Sequence, residues 1–258
     1  MDPDAYLARI GASRPERADA RALRDLHLRH LDAVPFENLS VHLGEPIELD
    51  EPRLYDKIVR RGRGGFCYEL NGAFAWLLTE LGFEVALLSA RVFTPDGEPG
   101  PPFDHLTLRV DLDEPWLADV GFGRFARFPL RLDAVGPQRD PEGEFLVLDT
   151  PDGDLEVRHD GRPVYLVETR PRRLRDFAPT CWWQATSPDS HFTRSLTCSL
   201  PTPQGRITLS GDRLIETCGD EREERTLTSD EEILDVYRIS FGMRLDRVPA
   251  LRQVPGRP

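Results

Sequence analysis

Apolar positions in roughly the first eighty residues recur at helical spacing. Ala20, Leu23, Leu26, Leu28 and Leu31 mark one helix across residues 17–32, closing before Pro35. Asp2 caps a shorter helix ahead of it, with Pro3 at the first position. Asp50-Glu51-Pro52 signals another start, with Leu54 and Ile58 one turn apart. The strongest helical pattern spans 67–81, where Leu70, Phe74, Leu77, Leu78 and Leu81 share a face and Gly82 ends it. Near Phe83 the period changes. Segments 83–92, 105–112, 116–120, 144–149, 154–158 and 163–167 are short and apolar-rich or alternating. Turn residues such as Thr94-Pro95-Asp96-Gly97 and Pro151-Asp152-Gly153-Asp154 separate them, which predicts a β-sandwich or barrel. A third region opens near Thr186-Ser187-Pro188, with strand-like Arg206–Leu209 and Leu214–Thr217. Its late helix starts at a capping box, Ser229-Asp230-Glu231-Glu232, buries Ile233, Val236, Tyr237 and Phe241, and stops at Gly242. The polar tail after Pro249 reads as loose. Helices first, strands second and a mixed end predict an α+β fold, not βαβ winding.

Composition narrows the function more than the fold. The 258 residues carry a formal net charge of -12, so no basic surplus exists to displace counterions from a nucleic acid. No apolar run approaches the ~20 residues of a membrane span, and Met1-Asp2-Pro3-Asp4 has no apolar signal region. The four cysteines, at 67, 181, 198 and 218, contain no CxxC; reduced thiols and a cytoplasmic address are expected. Lys57 is the only lysine, which reads as coding bias.

Candidate chemistry centres on Arg61-Gly62-Arg63-Gly64-Gly65-Phe66-Cys67. Cys67 opens the strongest helix, where unpaired N–H groups and the positive dipole end favour a thiolate. Arg61 and Arg63 add nearby positive charge, and Gly64 and Gly65 are candidates to present N–H groups to an oxyanion. The other three cysteines read as core or filler residues.

A base and an orienter follow. His105 alternates with Leu106, Leu108, Val110 and Leu112 and so occupies the opposite strand face. If the turn at Asp113-Glu114-Pro115 centres on Asp113, His105 lies opposite Gly121 and Asp119 is its diagonal neighbour. A one-residue slip puts Asp119 on the other face. In the first register Asp119 orients His105, His105 deprotonates Cys67, and the thiolate attacks an acyl group.

These motifs resemble the arylamine N-acetyltransferases along nearly the whole chain. The resemblance rests on Val34-Pro35-Phe36-Glu37-Asn38-Leu39, Arg63-Gly64-Gly65-Phe66-Cys67, His105-Leu106 and Asp119-Val120-Gly121-Phe122-Gly123. Ser190-His191-Phe192, Cys198-Ser199-Leu200, Thr202-Pro203-Gln204-Gly205 and Ile239-Ser240-Phe241-Gly242 extend it. It implies a helical bundle over 1–83 carrying Cys67, a β-barrel over 84–187 carrying His105 and Asp119, and an α/β lid over 188–258. The core would be cysteine-protease-like. It also implies ping-pong transfer of an acetyl group from acetyl-CoA, as co-substrate, to an aromatic amine or hydrazine through a Cys67 thioester. Phe36, Phe93 and Phe122 would line the acceptor pocket; Pro101, Pro102, Phe103 and Ser190 would lie where CoA binds. An amide synthase of the same fold acting on a carrier-bound polyketide, and a cysteine hydrolase, share these catalytic motifs.

Other features carry less. His27-x-x-His30 and His42 lack acidic or Cys partners at metal-ligand spacing and read as surface or interhelix histidines. Glu221-Arg222-Glu223-Glu224-Arg225 reads as a solvated charged turn. Trp182-Trp183 fits either core packing or a lid surface. Arg63 and Glu37 are expected to pair in the interior and brace the catalytic helix.

Overall fold

A computed structural model describes residues 1–251; the end of the tail expected to be loose, 252–258, lies outside the described residues. The N-terminal part holds α1 (Pro3–Arg9), α2 (Ala20–Ala33), β1 (Phe36–Glu37), α3 (Leu39–Leu43), α4 (Glu51–Tyr55) and α5 (Cys67–Glu80). Caps form where the sequence places them. Asp2 accepts from the Asp4 N–H, Asp19 from Ala22 and Asp50 from Arg53. The chain continues from α4 into a wider π-helical turn, Asp56–Arg60. Every residue of α5 from Cys67 to Leu78 is buried, so this helix is the axis of the bundle and not a surface element.

Eight antiparallel strands follow: β2 (Glu84–Val92), β3 (His105–Asp111), β4 (Pro115–Ala118), β5 (Leu130–Arg131), β6 (Gln138–Asp140), β7 (Gly143–Asp149), β8 (Leu155–His159) and β9 (Arg162–Val167). Their order, β5-β4-β3-β2-β9-β8-β7-β6, curls into a nearly closed barrel. The Gln138 side chain on β6 joins the two ends, accepting from the Arg131 N–H at 2.7 Å and donating to its carbonyl at 2.9 Å. The aliphatic face of β3, Leu106, Leu108 and Val110, packs against α5 in one core; Leu88, Phe125, Phe145, Val157 and Tyr165 fill a second core.

The remainder holds a short 3-10 turn (Leu174–Phe177), α6 (Ala178–Thr186), α7 (His191–Arg194), β10 (Thr197–Thr202), β11 (Gly205–Ser210), β12 (Arg213–Cys218), β13 (Glu221–Thr226) and α8 (Asp230–Ser240). Ser229 caps α8 by accepting from the Glu232 N–H at 3.2 Å. The second sheet runs β1-β10-β11-β12-β13, so a two-residue strand from the N-terminal part forms its inner edge. A third core joins Leu39 to Cys198, Leu209, Tyr237 and Phe241. Among the described residues no helix is long and apolar enough to cross a membrane.

Two expectations are corrected here. Residues 221–225 form β13 and not a turn, paired along β12 with every residue exposed. Its run of charged side chains disfavours pairing of this open edge with another chain. Cys218 is exposed at the end of β12, so it is not a core residue; Cys181 and Cys198 are buried. Trp182 and Trp183 lie on the outside of α6, at 68% and 39% exposure.

Candidate active site

The β3–β4 ladder runs from Asp111↔Pro115 to Leu108↔Ala118 and so centres on Asp113. In that register Asp119 falls on the His105 face, and its Oδ2 lies 2.7 Å from His105 Nε2. Both residues are buried, at 2% and 3% exposure. The carboxylate is held from all sides. Oδ1 accepts from Asn71 Nδ2 at 2.9 Å and the Gly121 N–H at 3.0 Å; Oδ2 also accepts from the Tyr165 hydroxyl at 3.2 Å. The Asp119 N–H donates to His27 Nε2 at 3.2 Å. His27 Nδ1 therefore carries the ring proton and donates to the Arg127 carbonyl at 3.1 Å. Burial pushes His27 down to about 4, consistent with that neutral tautomer.

Cys67 reaches this pair from α5. With Nε2 on Asp119, the other ring nitrogen of His105 is left for the Cys67 thiol, whose acidity His105 raises against the effect of burial. Asn71, one turn along on the same face, ties the helix to both strands. It donates to the Leu106 carbonyl at 2.6 Å and accepts from the Val120 N–H at 2.9 Å. Gly121 permits the contact. A Cβ there would sit 2.7 Å from Cys67 Cα and from Asn71 Nδ2.

Opposed effects set the proton positions. Burial disfavours an imidazolium, but the Asp119 charge and hydrogen bond, with Cys67, outweigh it and push His105 up to about 10. Burial raises the Cys67 thiol, and the His105 hydrogen bond and charge pull it part of the way back. Burial likewise opposes the Asp119 carboxylate, yet His105, Asn71 and Gly121 hold its pKa below the ordinary value. An unusually basic imidazole is the proton acceptor that a buried thiol needs, and the two groups titrate together.

The arginines before Cys67 do not contribute to this. Arg63 is paired with Glu37 at 2.8 Å, both side chains almost fully buried, and with Glu45 at 3.2 Å. Arg61 pairs with Glu45 at 3.1 Å. The expected effect of both on the thiol is therefore corrected, while the Arg63–Glu37 brace is present. Nor does Gly65 offer its N–H to an oxyanion; it donates to the Pro35 carbonyl at 3.4 Å. The two glycines exist for close packing. A Cβ on Gly64 would lie 1.9 Å from the Pro35 oxygen. Lys57 and Glu69 form a second buried pair at 2.6 Å beneath the same turn.

The aromatic candidates divide. Phe122 stands edge-on to His105 at 5.2 Å. Phe36 is half-buried beside Gly123 and Phe192. Phe93 lies beyond β2, bridged to Pro99, and no described contact joins it to Cys67, His105 or Asp119. Pro101 and Pro102 are exposed; Phe103 packs on Phe177, and its carbonyl accepts from Tyr68. The Ser190 hydroxyl is 1% exposed and committed to Gln184 and the Phe192 N–H, so it is not free for a ligand. Gln184 also donates to Asp104 at 2.7 Å, linking Ser190 to the residue before His105. Sequence reasoning missed Tyr165, His27 and Gln184. The one available signal was Tyr165 alternating with Val167 on an apolar strand, because an inward tyrosine needs a partner for its hydroxyl. His27 and His30 are interior residues, His30 bonded to the Tyr6 hydroxyl. Among the described residues no cluster of three His, Cys, Asp or Glu side chains surrounds a metal position.

Comparison with known proteins gives a consistent picture. Residues 19–250 match the family model described as N-acetyltransferase. The chain is 37% identical to an arylamine N-acetyltransferase of Mycolicibacterium smegmatis, over 95% of this chain and 93% of that one. The solved arylamine N-acetyltransferase of Salmonella typhimurium superposes with a TM-score of 0.86 at 33% identity, over 93% of this chain and 90% of the other. The Mycobacterium marinum arylamine N-acetyltransferase, solved in complex with CoA, gives 0.84 at 31% identity, covering 94% and 93%.

Proposed function

We propose the reaction that follows from one premise: the chain belongs to the arylamine N-acetyltransferase family. The reaction is transfer of an acetyl group from acetyl-CoA to the nitrogen of an aromatic amine or hydrazine, in two steps through a Cys67 thioester. The observation that carries it is the His105 ring held between Asp119 and the Cys67 thiol at the buried start of α5. His105 takes the thiol proton, and the thiolate attacks the acetyl carbonyl. Collapse of the tetrahedral intermediate breaks the carbonyl bond to the CoA sulfur, which leaves with the proton from His105. The amine then attacks the thioester carbonyl and gives its proton to His105, and Cys67 departs as the leaving group. Asp119, held by four donors, stabilises the imidazolium in both steps. Phe122 and Phe36 supply apolar faces for the aromatic acceptor.

The test is intact mass. Acetyl-CoA alone adds about 42 Da, mapped to Cys67 and lost in Cys67→Ala; an aniline or hydrazine then removes the label. An unlabelled wild type refutes the reading. Rapid discharge by water without amine points to a hydrolase instead.

A further inference from the structure

Two glycine turns meet behind the start of α5. Gly62 and Gly242 both adopt left-handed backbone, at φ 64° and 66°, and a Cβ on Gly62 would lie 3.9 Å from the Gly242 carbonyl oxygen. The approach brings the 61–63 loop beside the chain that leaves α8. Arg61, Arg63, Arg244 and Arg247 line the resulting cleft of about 270 Å³, with Glu45 and Asp246 as its carboxylates.

The donors are unevenly spent. Arg63 is committed to Glu37, Glu45 and Ser40 and forms the back wall. Arg61 gives one bond to Glu45, at 3.1 Å, and Arg247 one to the Leu43 carbonyl, at 2.6 Å. Each guanidinium carries five N–H donors, so both keep several spare. Arg244 is exposed and has no partner among the described residues. Four arginines face two carboxylates here, in a chain whose net charge is -12. A planar guanidinium fork matches phosphate oxygens in pairs, and three such forks converge on one concave surface.

We propose that this cleft binds a phosphate group, held by Arg244, Arg247 and the spare donors of Arg61. The site lies on the Arg61–Arg63 side of the loop and uses none of the acyl-transfer residues, so it stands apart from the proposed reaction.

The test titrates inorganic phosphate against the full chain at constant pH and ionic strength, with chloride as the balancing salt, and follows thermal unfolding. Wild type is expected to show a saturable rise of about 3 °C at roughly ten times the dissociation constant. The Arg244→Ser/Arg247→Ser double variant is expected to keep its Tm in chloride and lose the rise. No saturable rise in wild type, or an equal rise in both proteins, overturns the proposal. A calorimetric arm with CoA and dephospho-CoA identifies the source. If the double variant binds CoA about tenfold more weakly but dephospho-CoA normally, the phosphate is the ribose phosphate of CoA. If it binds both as wild type does while losing the inorganic phosphate response, the ligand is a separate phosphate compound.

Discussion

Gly121→Ala isolates the contact between the nucleophile helix and the Asp119 strand without removing a functional group. The backbone at Gly121 is not left-handed, so alanine meets only the steric problem. Its Cβ would lie 2.7 Å from Cys67 Cα, where ordinary contact begins near 3.4 Å, so α5 and the strand must part by about 0.7 Å. Asn71 Nδ2, at the same 2.7 Å, blocks escape along the helix, and the Cys67 carbonyl oxygen lies at 3.0 Å. Overpacking of this kind costs about 1–3 kcal/mol, and at about 2 kcal/mol the Tm of a chain this size falls by roughly 4–8 °C. The same displacement moves the Cys67 thiol away from the His105 ring. A misplacement near 1 Å can lower rate about 100-fold, so a fall of about 10- to 100-fold is expected for acetylation of Cys67. The assay is the second-order rate of thioester formation with acetyl-CoA, followed by intact mass, beside the Tm of the same preparation. A variant within about twofold of wild type in rate and about 1 °C in Tm refutes the close-approach argument.

Arg63→Ala leaves Glu37 buried without its partner, and about 3–5 kcal/mol of destabilisation is expected, read as a Tm fall of roughly 6–20 °C; unchanged stability sinks the brace. Tyr165→Phe removes one donor to Asp119, and a loss of about 1–3 kcal/mol on chemical denaturation is expected, with slower thioester formation at unchanged acetyl-CoA affinity. The pH dependence of stability has two limbs of opposite sign. His105 is held up to about 10 against an unfolded value near ~6.5, so its contribution is complete below ~6.5 and drains as pH rises toward 10. Asp119 is held below ~3.9, so its contribution is present above ~3.9 and disappears as pH falls through the depressed folded value. Denaturant midpoints across pH are expected to lose the alkaline limb in His105→Gln; an unchanged limb refutes the assignment.

The sequence revealed the core of this site because its geometry is local. Asp113 sits midway between Asp111 and Pro115, and that one turn decides which face Asp119 takes. Cys67 and Asn71 share a helix face by period alone. What stayed hidden depends on closure of the barrel and docking of distant segments. Tyr165 reaches Asp119 across 46 positions and His27 across 92, and no spacing rule links them. The arginine reading failed for a related reason. Proximity in sequence put Arg61 and Arg63 beside the thiol, whereas Glu37 and Glu45 draw them to the other side of the loop. The charged run at 221–225 looked like a turn because it buries nothing; only its pairing with β12 makes it a strand.

The two buried ion pairs under the Cys67 turn answer a positional need more than a stability need. Desolvation of a buried pair commonly cancels its Coulomb gain, so Lys57–Glu69 and Arg63–Glu37 are weak candidates for net stabilisation. Their geometry is informative instead. Glu69 accepts from Lys57 and, at 3.3 Å, from the Phe66 N–H immediately before the nucleophile. Glu37 accepts from Arg63 and from the Leu39 N–H at 2.7 Å, while its own N–H donates to the Gly65 carbonyl. The 63–67 turn is thus fixed at both ends by carboxylates that cannot move without leaving a buried charge unpaired. Burial alone would hold the thiol protonated, so Cys67 reacts only if His105 stays within hydrogen-bond reach. A turn that drifted out of that reach would leave a buried cysteine without its base. On this argument the charges beneath α5 act on the reaction through position, and removing one should slow thioester formation even at temperatures where the fold survives.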